Sequence, residues 1–258
     1  MKHALSTLMF EPKDLTKSIK FANELDIKLE IFPLWHNDSF IRFMDGNLSA
    51  LRGIIGSFHE PCDFCEHSAP RGSTEHKLAI DTCRKTFEYA ADLGAEHLVF
   101  HHNNRVFEPH ERAEMIKVAN ENLQEMNEIA AEFGLPYLVE NAGFVQRKNN
   151  LLTENEFVSL FDSIENDCLL DIGHAHCNSW DITQVISTLG DRIKVYHIHD
   201  NDKSYDSHLQ IGKGTLDVVN FKRLYDEYTP NAHLIFEYAE GMEISVAEIK
   251  QNIAIFQK

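Results

Sequence analysis

The densest chemistry in the chain lies between Asp191 and Gly214, DRIKVYHIHDNDKSYDSHLQIGKG. An apolar run over Ile193–His199 ends among His197, His199, Asp200, Asp202, Asp206 and His208. Packing does not ask for so many imidazoles and carboxylates just beyond a buried strand, and these are the groups that bind divalent metals. His197 and His199 share one face of the strand because side chains alternate. Similar residues end other apolar runs: His59 in SFHEP, His101 in LVFHHN, Glu140 in YLVENAG, Asp171 with His174 and His176 in LLDIGHAH, and Glu237 in LIFEYAEG. A lone histidine at such a place is usually structural. A buried carboxylate without a cation is costly, and six such groups together point to a metal site with oxygen and nitrogen ligands, suited to zinc, manganese or cobalt.

The elements that carry these groups alternate in type. Eight short apolar runs read as strands: His3–Met9, Ile27–Phe32, Ile54–Phe58, His97–His101, Leu135–Glu140, Cys168–Asp171, Ile193–His199 and His233–Glu237. Most lack polar alternation, as parallel strands covered on both sides do. Between them lie helical patterns, such as Ile116, Ala119, Leu123, Met126, Ala130 and Phe133 at spacings of three and four. Gly94 and Gly134 follow helices, and Thr153 with Glu156 suits a capping box. Eight strands alternating with eight helices over residues 1–258 predict one (β/α)8 TIM barrel, an α/β fold with an eight-stranded parallel barrel inside outer helices. A doubly wound sheet would need a glycine-rich phosphate loop after an early strand, and none is present. In a barrel the chemistry sits at the C-terminal strand ends, where the ligand-type residues fall.

Composition narrows the partners. The chain has 24 Lys+Arg against 41 Asp+Glu, a formal charge of −17, which speaks against a non-specific grip on nucleic acid. No apolar run approaches the ~18 residues of a membrane span, and MKHALSTLMFEPKDL does not read as a secretory signal, so a cytoplasmic location is expected. Five cysteines, an odd number, fit reduced thiols. Cys62 and Cys65 form a C-x-x-C, but no second pair completes a structural zinc site, so a loop is expected there rather than a redox or metal centre. His36, His67, His76, His110 and His233 are expected away from the rim.

In VENAG, LLDIGHAH, HIHDNDK…DSHLQIGKG and IFE the chain resembles the xylose-isomerase-like barrel superfamily. That group includes sugar and sugar-phosphate isomerases and epimerases and the type IV apurinic endonucleases. The resemblance implies one metal ion held by Glu140, Asp171, His197 and Glu237, with His197 at the first position of the H-x-x-D pattern and Asp200 as its acid. Resemblance to the endonucleases implies up to two further ions: His59 and His101 completing one, with Glu140 bridging, and His174, Asp206 and His208 holding another. His199 and His176 are expected to orient ligand carboxylates. The endonuclease pattern also breaks: its Ala-Pro-Tyr run after the first histidine is replaced by Glu60, Pro61 and Cys62, and LEIFPLWHND offers no basic or aromatic wedge for opening a duplex.

The expectation is a metal-dependent isomerase or epimerase using zinc or manganese on a small sugar or sugar phosphate. Glu140 and Glu237 would be its acid/base pair, with His174, Lys203 and Glu30 contacting substrate. The alternative is a multi-zinc phosphodiesterase of the apurinic-endonuclease kind, acting on DNA.

Overall fold

The computed structural model describes residues 2–257. Its strands are β1 (His3–Ser6), β2 (Lys28–Ile31), β3 (Ile55–Phe58), β4 (His97–Phe100), β5 (Tyr137–Glu140), β6 (Cys168–Asp171), β7 (Ile193–Ile198) and β8 (His233–Phe236). Each pairs in parallel with the next, and β8 returns to β1, closing the barrel. The α-helices are α1 (Thr16–Leu25), α2 (Asp38–Leu51), α3 (Thr74–Leu93), α4 (Arg112–Phe133), α5 (Glu154–Leu160), α6 (Ile172–Cys177), α7 (Ile182–Leu189), α8 (Val218–Tyr228) and α9 (Val246–Ile255). This is the (β/α)8 barrel expected from the alternation of runs.

Local chemistry sets the ends of these elements. The Ser73 hydroxyl accepts from the His76 N–H to start α3, while Gly94 and Gly134 take the left-handed conformation that closes α3 and α4. Both halves of the Thr153–Glu156 capping box form at α5. Several strands are shorter than the apolar runs that announce them. β5 starts at Tyr137 because Pro136 has no N–H to give the ladder. β1 stops at Ser6, where Thr7–Met9 turns into a 3-10 helix. One helix beyond the eight expected, α6, is only six residues long, and the Asp171 carboxylate accepts the His174 N–H at 2.6 Å.

Two apolar layers hold the barrel. Outside it, side chains such as Phe58, Phe87, Phe100, Tyr196 and Phe236 pack between strands and helices. Inside it, Ala4, Val99, Leu138, Leu169, Val195 and Ile235 fill the centre from six strands. Two residues beyond each of these, on the same inward face, stand Ser6, His101, Glu140, Asp171, His197 and Glu237. The alternation that builds the core therefore also places the rim.

The loop from β7 to α8 is folded around one carboxylate. Asp200, fully buried, accepts the N–H groups of Asn201, Gly212, Gly214 and Leu216 at 2.8–3.0 Å. Its backbone also forms an antiparallel bridge with Leu209. A Cβ on Gly214 would lie 2.3 Å from Asp200 Oδ1 and 2.4 Å from the Asn201 carbonyl oxygen, so only glycine fits. Gly214→Ala is therefore expected to destabilise the fold by about 1–3 kcal/mol. Gly46→Ala, in α2 with no neighbour within 4 Å, is expected to stabilise it by up to about 1 kcal/mol. Urea unfolding of the two variants checks both signs.

Candidate metal centre

The rim residues converge on three adjoining positions. At the centre, His197 Nδ1 lies 3.5 Å from Glu140 Oε2, 3.7 Å from Glu237 Oε2 and 3.9 Å from Asp171 Oδ2. The other ring nitrogen of His197 sits 2.9 Å from Glu30 Oε1, and the Ser57 hydroxyl donates to Glu30 Oε2. Glu30 is fully buried behind His197 and does not border the open cleft. On one side, His101 Nε2 and His59 Nε2 approach Glu140 Oε2 at 2.9 and 3.7 Å. Their Nδ1 atoms are engaged by Asn104 Oδ1 and the Glu60 carbonyl, each at 2.9 Å, which leaves both Nε2 atoms aimed at the carboxylate. On the other side, His174 Nε2 and His208 Nε2 each lie 3.1 Å from Asp206 Oδ2. His174 Nδ1 faces Glu140 Oε1 at 3.2 Å, linking this position to the centre.

Supporting contacts fix the carboxylates. His199 Nε2 lies 3.1 Å from Asp171 Oδ2, and its ring stacks on His208 at 3.8 Å. Gly173 makes room for that ring, since a Cβ there would meet it at 2.0 Å. The Asn141 side chain bonds both backbone polar groups of Asp171, and the Ser6 hydroxyl donates to Glu237 Oε1. Asp200 holds the loop that carries Asp206 and His208. Two residues named from the sequence stand apart: His176 bonds Thr215, and Lys203 is an exposed loop residue whose carbonyl accepts from Gln146.

Glu60 is a buried carboxylate beside the rim that the motifs do not single out. Buried beside His59, it accepts the His101 N–H at 2.7 Å and an Asn104 side-chain N–H at 2.6 Å. Its sequence signal is a charge placed directly after a rim histidine. Cys62 also stands here, its sulfur 3.6 Å from His59 Nδ1 and 3.8 Å from His101 Nδ1.

The buried acids and imidazoles shift one another strongly. Burial alone would raise the Glu140 carboxyl, but His101 and His197 beside it hold it well below the usual range. Burial would likewise raise Asp171, yet His174 and His199 hold it at about 2. Burial would lower His208, yet Asp206 pushes it up to about 9. Glu140 Oε1, His174 Nδ1, His197 Nδ1, His199 Nδ1 and Asp206 Oδ1 are buried without a hydrogen-bond partner, and His197 Nε2 is met by Glu30 alone. Idle buried polar atoms on acids and imidazoles are what a bound divalent ion would satisfy, so the donor set fits the metal its chemistry implies.

Above the rim opens a cleft of about 960 Å³, bordered by His59, His101, His174, Asp206, His208 and Glu237. Around its mouth stand Asp63, Glu66, Glu75 and Glu240 with Arg105 and Arg147, and Arg105 is itself paired with Glu111.

A family model described as a xylose isomerase-like TIM barrel matches residues 63–258, and the chain belongs to that family. Its relative MJ1614 of Methanocaldococcus jannaschii, itself uncharacterised, is 27% identical over 227 residues, which span 86% of this chain and 87% of that protein. Among solved structures, a D-tagatose 3-epimerase-like protein superposes with a TM-score of 0.77 at 22% identity, covering 98% of this chain and 96% of the other. The IolI protein, solved with a zinc atom, gives 0.79 at 15% identity over 99% and 98%. Endonuclease IV from Thermus thermophilus gives 0.66 at 17% over 99% and 97%. At these identities the likeness to the solved structures is one of fold.

If the rim holds an ion, its removal should be visible as lost stability. A ligand at a hundredfold excess over its Kd stabilises by about 2.7 kcal/mol. Chelator-treated protein is expected to melt lower, and zinc or manganese added back is expected to raise the midpoint in proportion to the logarithm of its concentration. His197→Ala should flatten that response in a thermal-shift titration.

Proposed function

We propose that the chain is a metal-dependent isomerase or epimerase acting on a small sugar or sugar phosphate. The observation that carries this reading is the pair Glu140 and Glu237, set at the ends of β5 and β8 around His197, with Glu237 bordering an acidic-walled cleft and Glu140 buried beneath it. Zinc or manganese held by Glu140, Asp171, His197 and Glu237 would supply Lewis acidity, polarising a substrate carbonyl and acidifying the neighbouring C–H. Glu140 would take that proton through Oε1, which lies 3.2 Å from His174 Nδ1. Glu237, steadied by Ser6 and reaching in from a different strand, returns a proton to the other face. His174, which borders the cleft, positions a substrate hydroxyl. The acidic mouth disfavours a polyanion such as duplex DNA, whose binding draws on lysine and arginine.

A second reading has one observation in its favour. His101 and His59 both point at Glu140 Oε2, so these three side chains could hold a further ion beside the central one, and zinc there would supply the Lewis acidity that phosphodiester hydrolysis needs. Metal counting and substrate turnover separate the two. An isomerase is expected to exchange solvent deuterium into a ketose, to lose about 10²–10⁴-fold of its rate in Glu237→Gln, and to keep measurable exchange in His208→Ala. Three zinc ions per chain with cleavage of an abasic duplex and no exchange would establish the hydrolase instead.

A further inference from the structure

The two cysteines of the C-x-x-C turn to different neighbours. Cys62 faces the rim histidines, whereas Cys65 turns inward, its sulfur 3.2 Å from that of Cys83 on α3. His67 completes a cluster: the donor atoms of Cys65, His67 and Cys83 all lie within 4.8 Å of one another, and all three residues are buried. The His67 ring is 2% exposed, stacks on Phe100 at 4.4 Å, and turns its Nε2 atom to Glu60 Oε2 at 3.3 Å. With Nε2 facing a carboxylate, Nδ1 is the nitrogen left to serve as a ligand.

We propose that Cys65, His67 and Cys83 form a soft-ligand metal site for zinc, separate from the rim. Two thiolates and one dication sum to no net charge, which suits a buried location, and imidazole adds a neutral third ligand. Each thiol gives its proton to solvent on binding. Sulfurs bound tetrahedrally to one zinc at about 2.3 Å each lie about 3.8 Å apart, so the observed separation needs only a small adjustment. It is far wider than the ~2.05 Å of a disulfide. Glu60 stands to His67 as carboxylates stand to metal-bound histidines, fixing the ring from behind. Cys65 borders the open cleft, which gives an ion a way in.

This position has a consequence for the rim. Glu60 also accepts the His101 N–H, and the Asn104 side chain joins Glu60 to His101 Nδ1. An ion at the thiols thus braces the side of the rim formed by His59 and His101.

X-ray absorption at the zinc edge on the zinc-loaded full chain tests the proposal. A sulfur shell at about 2.3 Å is expected. It should persist in Cys62→Ser, and should vanish in Cys65→Ser and in Cys83→Ser with one zinc fewer per chain. A shell of nitrogen and oxygen only in the wild-type protein would overturn the proposal, as would a sulfur shell that disappears with Cys62→Ser alone. A Cys65–Cys83 disulfide in the intact mass of the unreduced, zinc-loaded protein would also overturn it. Cys62→Ser leaves both cluster sulfurs in place, so its spectrum decides the question even where the other variants do not fold.

Discussion

Five carboxylates, Glu30, Glu140, Asp171, Asp206 and Glu237, meet at the mouth of the barrel almost wholly removed from water. Each costs several kcal/mol to bury unless positive charge or hydrogen bonds meet it. The surrounding architecture answers that demand: imidazoles from β7, α6 and the loops that follow β3, β4 and β7 stand within 4 Å of these oxygens. Serine hydroxyls from β1 and β3 take further lone pairs. Charge of both signs is thus concentrated at one end of the molecule, while an apolar plug of six side chains closes the space beneath it.

Much of this was legible in the chain because one rule does two jobs. Side chains alternate along a strand, so a residue two positions past a central apolar side chain points to the same interior. Val99 with His101, Leu138 with Glu140, Leu169 with Asp171, Val195 with His197 and Ile235 with Glu237 are five cases of it. Chain spacing shows the strands, the strands show the rim, and helix caps such as Thr153–Glu156 can be read from four residues alone.

What stayed hidden depends on partners far away in sequence. Ser6 and Glu237 are 231 positions apart, and nothing near either announces the bond. Glu30 reads locally as a polar strand end, yet His197 behind the central position is what meets its charge. Cys65 and Cys83 meet only because the loop after β3 folds back onto α3, and His67 looks like any loop histidine until Phe100 and Glu60 are placed around it. The turn of helix after β6 was hidden for another reason: its six residues are too few for periodicity to show.

The closing of β8 against β1 carries a consequence in time. Glu237 directly follows the last strand, and its hydroxyl support, Ser6, lies on the first. During synthesis, at roughly 5–20 residues per second, the earlier strands emerge with their acids and imidazoles well before Glu237 does. The central position cannot be complete until synthesis has passed Glu237 and β8 has closed on β1. An ion held there would therefore mark a closed barrel.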